Sequence, residues 1–185
     1  MTRSTEDWLN DGTCSLLSSG GSTSAQVFFY RFPSEDSLEE VAKGKNTTAS
    51  TPDGAYCPPG KAVDGFLAEY GYYSGLLVKP WWQVDLGEVR LIYQIQIYPR
   101  QILYTRFHDV EVRVGTTFIS NGIFSAYSFL CSYTKVYELA EGYLLCSRYN
   151  GVIGRYVSIQ ITAAAAEYLQ LMEVKVFVLK KTASP

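Results

Sequence analysis

One histidine, His108, serves the whole chain of 185 residues. Any histidine-dependent acid–base chemistry would have to run through that side chain. The four cysteines, Cys14, Cys57, Cys131 and Cys146, are scattered rather than grouped at metal-binding spacings. That excludes the usual His/Cys zinc sites. Their even number permits two bridges without demanding them. No nucleophile beside a base, no metal triad and no phosphate-binding glycine loop stands out, so an enzyme is not expected. Asn46-Thr47-Thr48 fits the N-glycosylation acceptor pattern, which counts only if the chain is secreted.

Composition narrows the classes further. The length predicts one domain with a tail, large enough for a core of its own. Hydrophobic residues make up 47% of the chain, a globular value. Charged residues are 18% and the net charge is −2, so no basic excess exists to hold nucleic acid or anionic lipid. Aromatics reach 15%, with 15 tyrosines, which leans toward β structure and wet, adhesive surfaces. No apolar run approaches the roughly 18 residues of a membrane helix. The start, Met1 to Trp8, is polar and acidic and lacks a signal peptide's apolar stretch. It reads either as a cytosolic protein or as a chain whose precursor begins upstream.

The elements that must position any site are strands. Residues 1–37 are rich in Ser, Thr and Gly and read as an irregular leader, interrupted by the apolar run Val27 to Tyr30. Residues 38–179 read as the domain and 180–185 as a tail. Within the domain, Gln94 to Tyr98, Asp109 to Val114, Tyr156 to Ile161 and Met172 to Val178 all alternate apolar and polar residues. Period-two alternation marks strands with one face on a core, and it puts Val110, Val112 and Val114 on one side. Turn residues separate the runs at Pro52-Asp-Gly54, Pro58-Pro-Gly60, Asn121-Gly122 and Asn150-Gly151. The four alanines at 163–166 are too few to form a helix alone. Short antiparallel strands of this kind make a sandwich or barrel.

The string Pro80-Trp-Trp-Gln-Val-Asp-Leu-Gly87 resembles the signature of the F-type lectin (fucolectin) family. Other pieces follow in that family's order. Val41 to Ser50 resembles its opening strand, Lys61-Ala-Val-Asp-Gly65 its calcium-loop entry, and Phe107 to Gly115 the strand after its sugar loop. Cys131, Cys146 and Gly154 to Gln160 resemble its later cysteine pair and strand, and Leu171 to Phe177 its closing strand. The resemblance covers roughly residues 39–178. It implies an all-β, antiparallel jelly-roll sandwich of the galactose-binding-like type, with calcium and a sugar pocket on loops at one end. It also implies an extracellular glycan-binding module. Of Trp81 and Trp82, one ring is expected to enter the core and anchor those loops.

The same resemblance assigns residues. The family binds fucose through a His and two basic residues, in a motif Arg-x-Asp followed by a second Arg or Lys. A guanidinium offers a rigid fork of donors to vicinal hydroxyls, while an aromatic wall takes the sugar's C–H face. Arg100 falls at the first basic position and Arg106 near the second, with Tyr104 as a candidate stacking face. Ile102 stands where the Asp belongs, and Leu77 or a neighbour where the His belongs. His108 is expected to face solvent or cap the loop. The pocket is therefore read as degenerate for fucose. Taken alone, Arg100 and Arg106 read as solvated loop charges. A structural or protein-interaction module that has lost sugar binding is the alternative.

For calcium, the resemblance implies side-chain ligands Asp64, Ser74 and Glu173 and carbonyl ligands at Lys61 and Phe66. Such oxygen donors suit a hard cation. Without it, Asp64 reads as a turn residue before Gly65 and Glu173 as a strand-surface charge. The resemblance further implies a Cys131–Cys146 disulfide and puts Gly75 and Met172 at the two halves of a second bridge, both lost. Cys14 and Cys57 are free or join the leader to the sandwich.

Overall fold

The computed structural model describes residues 33–67, 70–135, 139 and 142–181. The chain divides into residues 1–31 and 32–185. The Ser/Gly-rich run, Cys14 and the Val27 to Tyr30 run lie outside the described residues. Ten strands follow in order: β1 (Leu38–Glu40), β2 (Asn46–Ala49), β3 (Tyr72–Tyr73), β4 (Leu77–Val78), β5 (Trp81–Pro99), β6 (Val110–Gly115), β7 (Ser128–Tyr133), β8 (Leu144–Ile161), β9 (Ala166–Glu167) and β10 (Gln170–Leu179). Three short 3-10 turns, Glu35–Ser37, Pro59–Val63 and Gln101–Arg106, complete the described elements. Every strand pairing is antiparallel. Among the described residues no helix is long and apolar enough to cross a membrane.

Two long strands build both layers of the sandwich. The second half of β5, from Ile92, pairs with β10, and β1 continues that layer on the far side of β10. The first half of β5, Trp82 to Asp85, pairs with β2. β8 accompanies β5 along both halves and then pairs with β6, which pairs with β7. β5 and β8 run to 19 and 18 residues, longer than the short strands expected. The reason is that glycines bend strands here instead of ending them. Gly151 takes φ +64° inside β8, where the register jumps from Gln94↔Ser147 to Ile92↔Val152. Asn150-Gly151 is thus a bulge, not the strand boundary its residue types suggest.

The alternation seen in the sequence is the alternation of the core. Val110, Val112 and Val114 face inward from β6, Val157, Ile159 and Ile161 from β8, Ile95 and Ile97 from β5, and Val174, Val176 and Val178 from β10. Trp82 is fully buried among them, and its Nε1 donates to the Pro59 carbonyl at 2.9 Å. Trp81 points the other way, edge-on to Phe124 with ring centroids 5.5 Å apart.

Cys131 of β7 and Cys146 of β8 form a disulfide with Cα atoms 5.7 Å apart. It closes a 15-residue loop, so restricting the unfolded chain contributes about 3 kcal/mol. We expect Cys131→Ser with Cys146→Ser to lose that much in urea denaturation; a loss below about 1 kcal/mol would contradict it. Cys57 carries a free, buried thiol whose pKa is raised by burial and by the negative charge of Asp53. The position opposite Met172 is not Gly75. The register Tyr72↔Leu171 and Tyr73↔Gln170 brings Gly71 to Met172. A Cβ on Gly71 would lie 2.0 Å from the Leu171 carbonyl, so no side chain fits there.

Candidate functional site

The loop after β5 carries the two arginines. Pro99 ends β5 against Leu171, and Phe107 is buried against the Tyr133 ring, so both ends of the loop are anchored. Between them Gln101–Arg106 forms two 3-10 turns with a kink at Leu103. Gln101 Nε2 donates to the carbonyls of Pro99 at 3.1 Å and Gly142 at 2.7 Å. This fixes where each guanidinium starts. Arg100 lies over the Tyr73 ring at 4.9 Å and Arg106 over the Tyr168 ring at 4.4 Å. Arg90, Arg113 and Arg155 are all paired with carboxylates. Arg100 and Arg106 have no carboxylate partner among the described residues, and Arg100 Nε is buried without a hydrogen bond. Two guanidiniums held on aromatic faces, with donors unmet among the described residues, are equipped to bind an uncharged polyol.

The rings beneath them are not the ones expected. Tyr104 stacks on neither arginine and stays at the loop surface, with Ile102 beside it and 74% exposed. Tyr73 and Tyr168 come instead from the junction of β3 with β10. Ser74 builds that junction. It is fully buried; its amide donates to the Leu169 carbonyl at 2.9 Å, and its Oγ accepts from the Leu169 amide at 2.8 Å and donates to the Gly75 carbonyl at 2.9 Å. Tyr168 is held under Arg106 by this clamp on its neighbour. No sequence signal singled out these two tyrosines among 15.

His108 does not face solvent. Its side chain is mostly buried, with Nδ1 2.9 Å from Asp109 Oδ2 and Nε2 3.7 Å from Glu167 Oε1. The first contact is a hydrogen bond and the second is too long to be one. Asp109 sits at φ +48°, and its carbonyl accepts from both the amide and hydroxyl of Thr162. Glu167 in turn pairs with Leu77 across β4 and β9. Arg106, Tyr168, Glu167, His108 and Leu77 therefore share one region of the loop end.

A second cluster surrounds Glu173. The Pro59–Val63 turn is held by Trp82 and by the buried Ala62 and Val63, and it ends at Asp64. Asp64 Oδ1 accepts from the Phe66 amide at 3.0 Å, and Oδ2 is 3.2 Å from Lys61 Nζ. Gly65, at φ +87°, donates its amide to Glu173 Oε2 at 3.2 Å. Lys61, Asp64, Phe66 and Glu173 are thus gathered together. Ser74 is not with them: its partner Leu169 lies four residues from Glu173, roughly 13 Å along an extended chain. Its oxygen is also already committed to Leu169 and Gly75. Among the described residues no three His, Cys, Asp or Glu side chains converge, so a cation held by Asp64 and Glu173 would draw further ligands from main-chain carbonyls.

Glu173 is 2% exposed, and its pKa is pushed up to about 7. Burial is the main cause; the charges of Asp64 and Glu40 add to it and the Gly65 amide opposes it. A carboxyl pKa raised on folding stabilises the fold at low pH, and that contribution is lost as pH rises from about 4.5 to about 7. With divalent cations chelated, we expect melting temperature to fall across that window. Glu173→Gln, neutral and isosteric, should flatten the fall and melt above the parent at pH 8. Parallel pH profiles for the two proteins would contradict this.

Comparison with known proteins bears on both clusters. The profile of the F5/8 type C domain matches residues 46–174. Fucolectin-5 of Anguilla japonica is 32% identical over 155 residues, covering 78% of each chain. A fucolectin from the serum of striped bass, Morone saxatilis, superposes with a TM-score of 0.65 at 25% identity over 82% of this chain, which spans 50% of that lectin. A fucose binding module of Streptococcus pneumoniae shares the fold with a TM-score of 0.61 and 22% identity, over 79% of this chain and 99% of its own.

Proposed function

The chain belongs to the F5/8 type C domain family, and from that premise we propose that it is a lectin-like, carbohydrate-binding module that reads glycans through the loop after β5. Its domain type is that of lectins and carbohydrate-binding modules, not of enzymes. The single observation that carries the proposal is the pair Arg100 and Arg106, each lying on a tyrosine ring without a carboxylate partner among the described residues. Their forks donate to hydroxyl and ring oxygens. His108 lies between the Asp109 and Glu167 carboxylates, and Glu167 offers its carboxylate as an acceptor. Hydroxyl oxygens and hydroxyl hydrogens both find partners.

Simple fucose binds weakly in this reading. Leu77 cannot hydrogen-bond, and exposed Ile102 supplies no carboxylate to orient an arginine, so each guanidinium loses more conformational entropy on binding. Larger glycans, which bury more surface on the loop end, are favoured over free fucose. The serum origin of the striped bass lectin supports an extracellular setting, as does a disulfide that needs an oxidising compartment.

The second cluster fits calcium. Asp64 and Glu173 bring two carboxylates to one place, and Glu173 is buried. The carbonyls of Lys61 and Phe66 flank Asp64 in sequence and would complete the oxygen-only donor set that hard cations prefer. When bound, calcium supplies the charge that neutralises Glu173. Asp64 and Glu173 would then tie the 59–66 segment to β10 through the ion.

A glycan array read with calcium and again with chelator tests the function. Binding to a subset of glycans, weakened by chelator, is expected. An array blank under both conditions would overturn it in favour of a protein-interaction role.

A further inference from the structure

Of the chain's asparagines, only Asn46 opens an Asn-X-Thr triplet, Asn46-Thr47-Thr48, with no proline at its centre. Such a triplet can carry a sugar only where the finished fold leaves room for a bulky, hydrated group. The structure puts it at the start of β2. A tight turn delivers the chain to that strand. Gly44 takes φ +70° and donates its amide to the Val63 carbonyl at 2.7 Å, and the Lys45 amide donates to the Ala42 carbonyl at 3.0 Å. Asn46 follows as the first residue of the strand.

Register decides where the three side chains go. Asn46 pairs with Asp85, Thr47 with Val84 and Thr48 with Gln83. Direct partners share a face of the sheet, and successive residues alternate between faces. Val84 is fully buried in the core, so Thr47 turns inward with it and is half-buried. Asn46 and Thr48 turn outward together, and both are exposed. The acceptor amide and the hydroxyl of the triplet therefore lie on one open face, while the middle residue holds the strand to the core. The cross-strand neighbour on that face is polar: the Asp85 carboxylate accepts from Arg155 at 2.6 and 2.8 Å. A sugar rooted at Asn46 meets groups it can hydrogen-bond. It also covers an edge. Among the described residues β2 pairs with β5 alone, so its other side is open. Open strand edges template pairing with another chain unless something blunts them.

We propose that Asn46 is an N-glycosylation site. Its Nδ2 loses a proton and bonds to the anomeric carbon of an oligosaccharide, as the bond from that carbon to a polyprenyl pyrophosphate carrier breaks and the pyrophosphate leaves with the electron pair. The proposal rests on the extracellular setting inferred above. The test translates the full chain behind a cleavable secretion signal in the presence of microsomes, and compares the mass of the protease-protected product before and after peptide N-glycosidase. One upward shift, reversed by the glycosidase, is expected. Asn46→Gln and Thr48→Val should each abolish it, and Thr48→Ser should keep it. Protected chains of unshifted mass, or a shift that survives Asn46→Gln or Thr48→Val, would overturn the proposal. Failure of the extracellular reading is distinguishable, because it appears as free thiols at Cys131 and Cys146 in protein isolated from the cells that make it.

Discussion

Replacing Trp82 by alanine is expected to cost about 3–5 kcal/mol, the range for removing a fully buried large aromatic. The indole is 0% exposed and sits at the centre of the core cluster. Its loss also strands the Pro59 carbonyl, which receives its Nε1–H at 2.9 Å. That second effect reaches the site. The Pro59–Val63 turn delivers Asp64 to Glu173, so the variant should lose calcium-dependent stabilisation as well as global stability. Trp82→Phe separates the two, because it keeps most of the packing and drops the donor, a change worth about 1 kcal/mol. Urea denaturation and melting curves with and without calcium check both parts. A loss below about 1 kcal/mol for Trp82→Ala, or an intact calcium response, would show that the indole does not anchor the loop.

Arg100→Ala combined with Arg106→Ala should reduce glycan affinity by at least about a hundredfold. Hydrogen bonds to a charged group contribute about 1.5–3 kcal/mol each, and 1.4 kcal/mol is tenfold in affinity. Each single variant should therefore lose roughly tenfold or more. Stability should hardly change, since neither guanidinium holds an ion pair among the described residues and each contributes only a ring contact. Tyr168→Ala should act in the same direction by freeing Arg106, with a smaller effect. Calorimetric titration checks the series; a double variant that binds within threefold of the parent would place glycan recognition elsewhere.

The sandwich was legible because alternation is a local property. Val110, Val112 and Val114, or Val174, Val176 and Val178, declare a buried face without reference to anything distant. The length of β5 and β8 was not legible. Gly151 is the same residue whether it ends a strand or bulges one, and pairing partners decide which. At the site, Asp64, Glu173, Arg100 and Arg106 could be named because each stands in a recognisable string. Tyr73 and Tyr168 could not, since they meet the arginines only after β3 pairs with β10, across nearly a hundred residues of chain. Of the two placements expected for His108, facing solvent fails for a related reason: the side chain is covered near Glu167, brought in by the β4–β9 pairing. Ser74 matched a ligand position by alignment, yet its hydroxyl is engaged by Leu169, a partner invisible in the local sequence.

The most direct test of glycan recognition at the loop after β5 is amide chemical-shift mapping with an array-positive glycan at low molar excess. The largest shifts are expected at Tyr73, Arg100, Arg106, His108, Glu167 and Tyr168, and they should vanish in the Arg100→Ala, Arg106→Ala chain. Saturable shifts that leave these residues untouched, or that persist in that variant, would contradict the account.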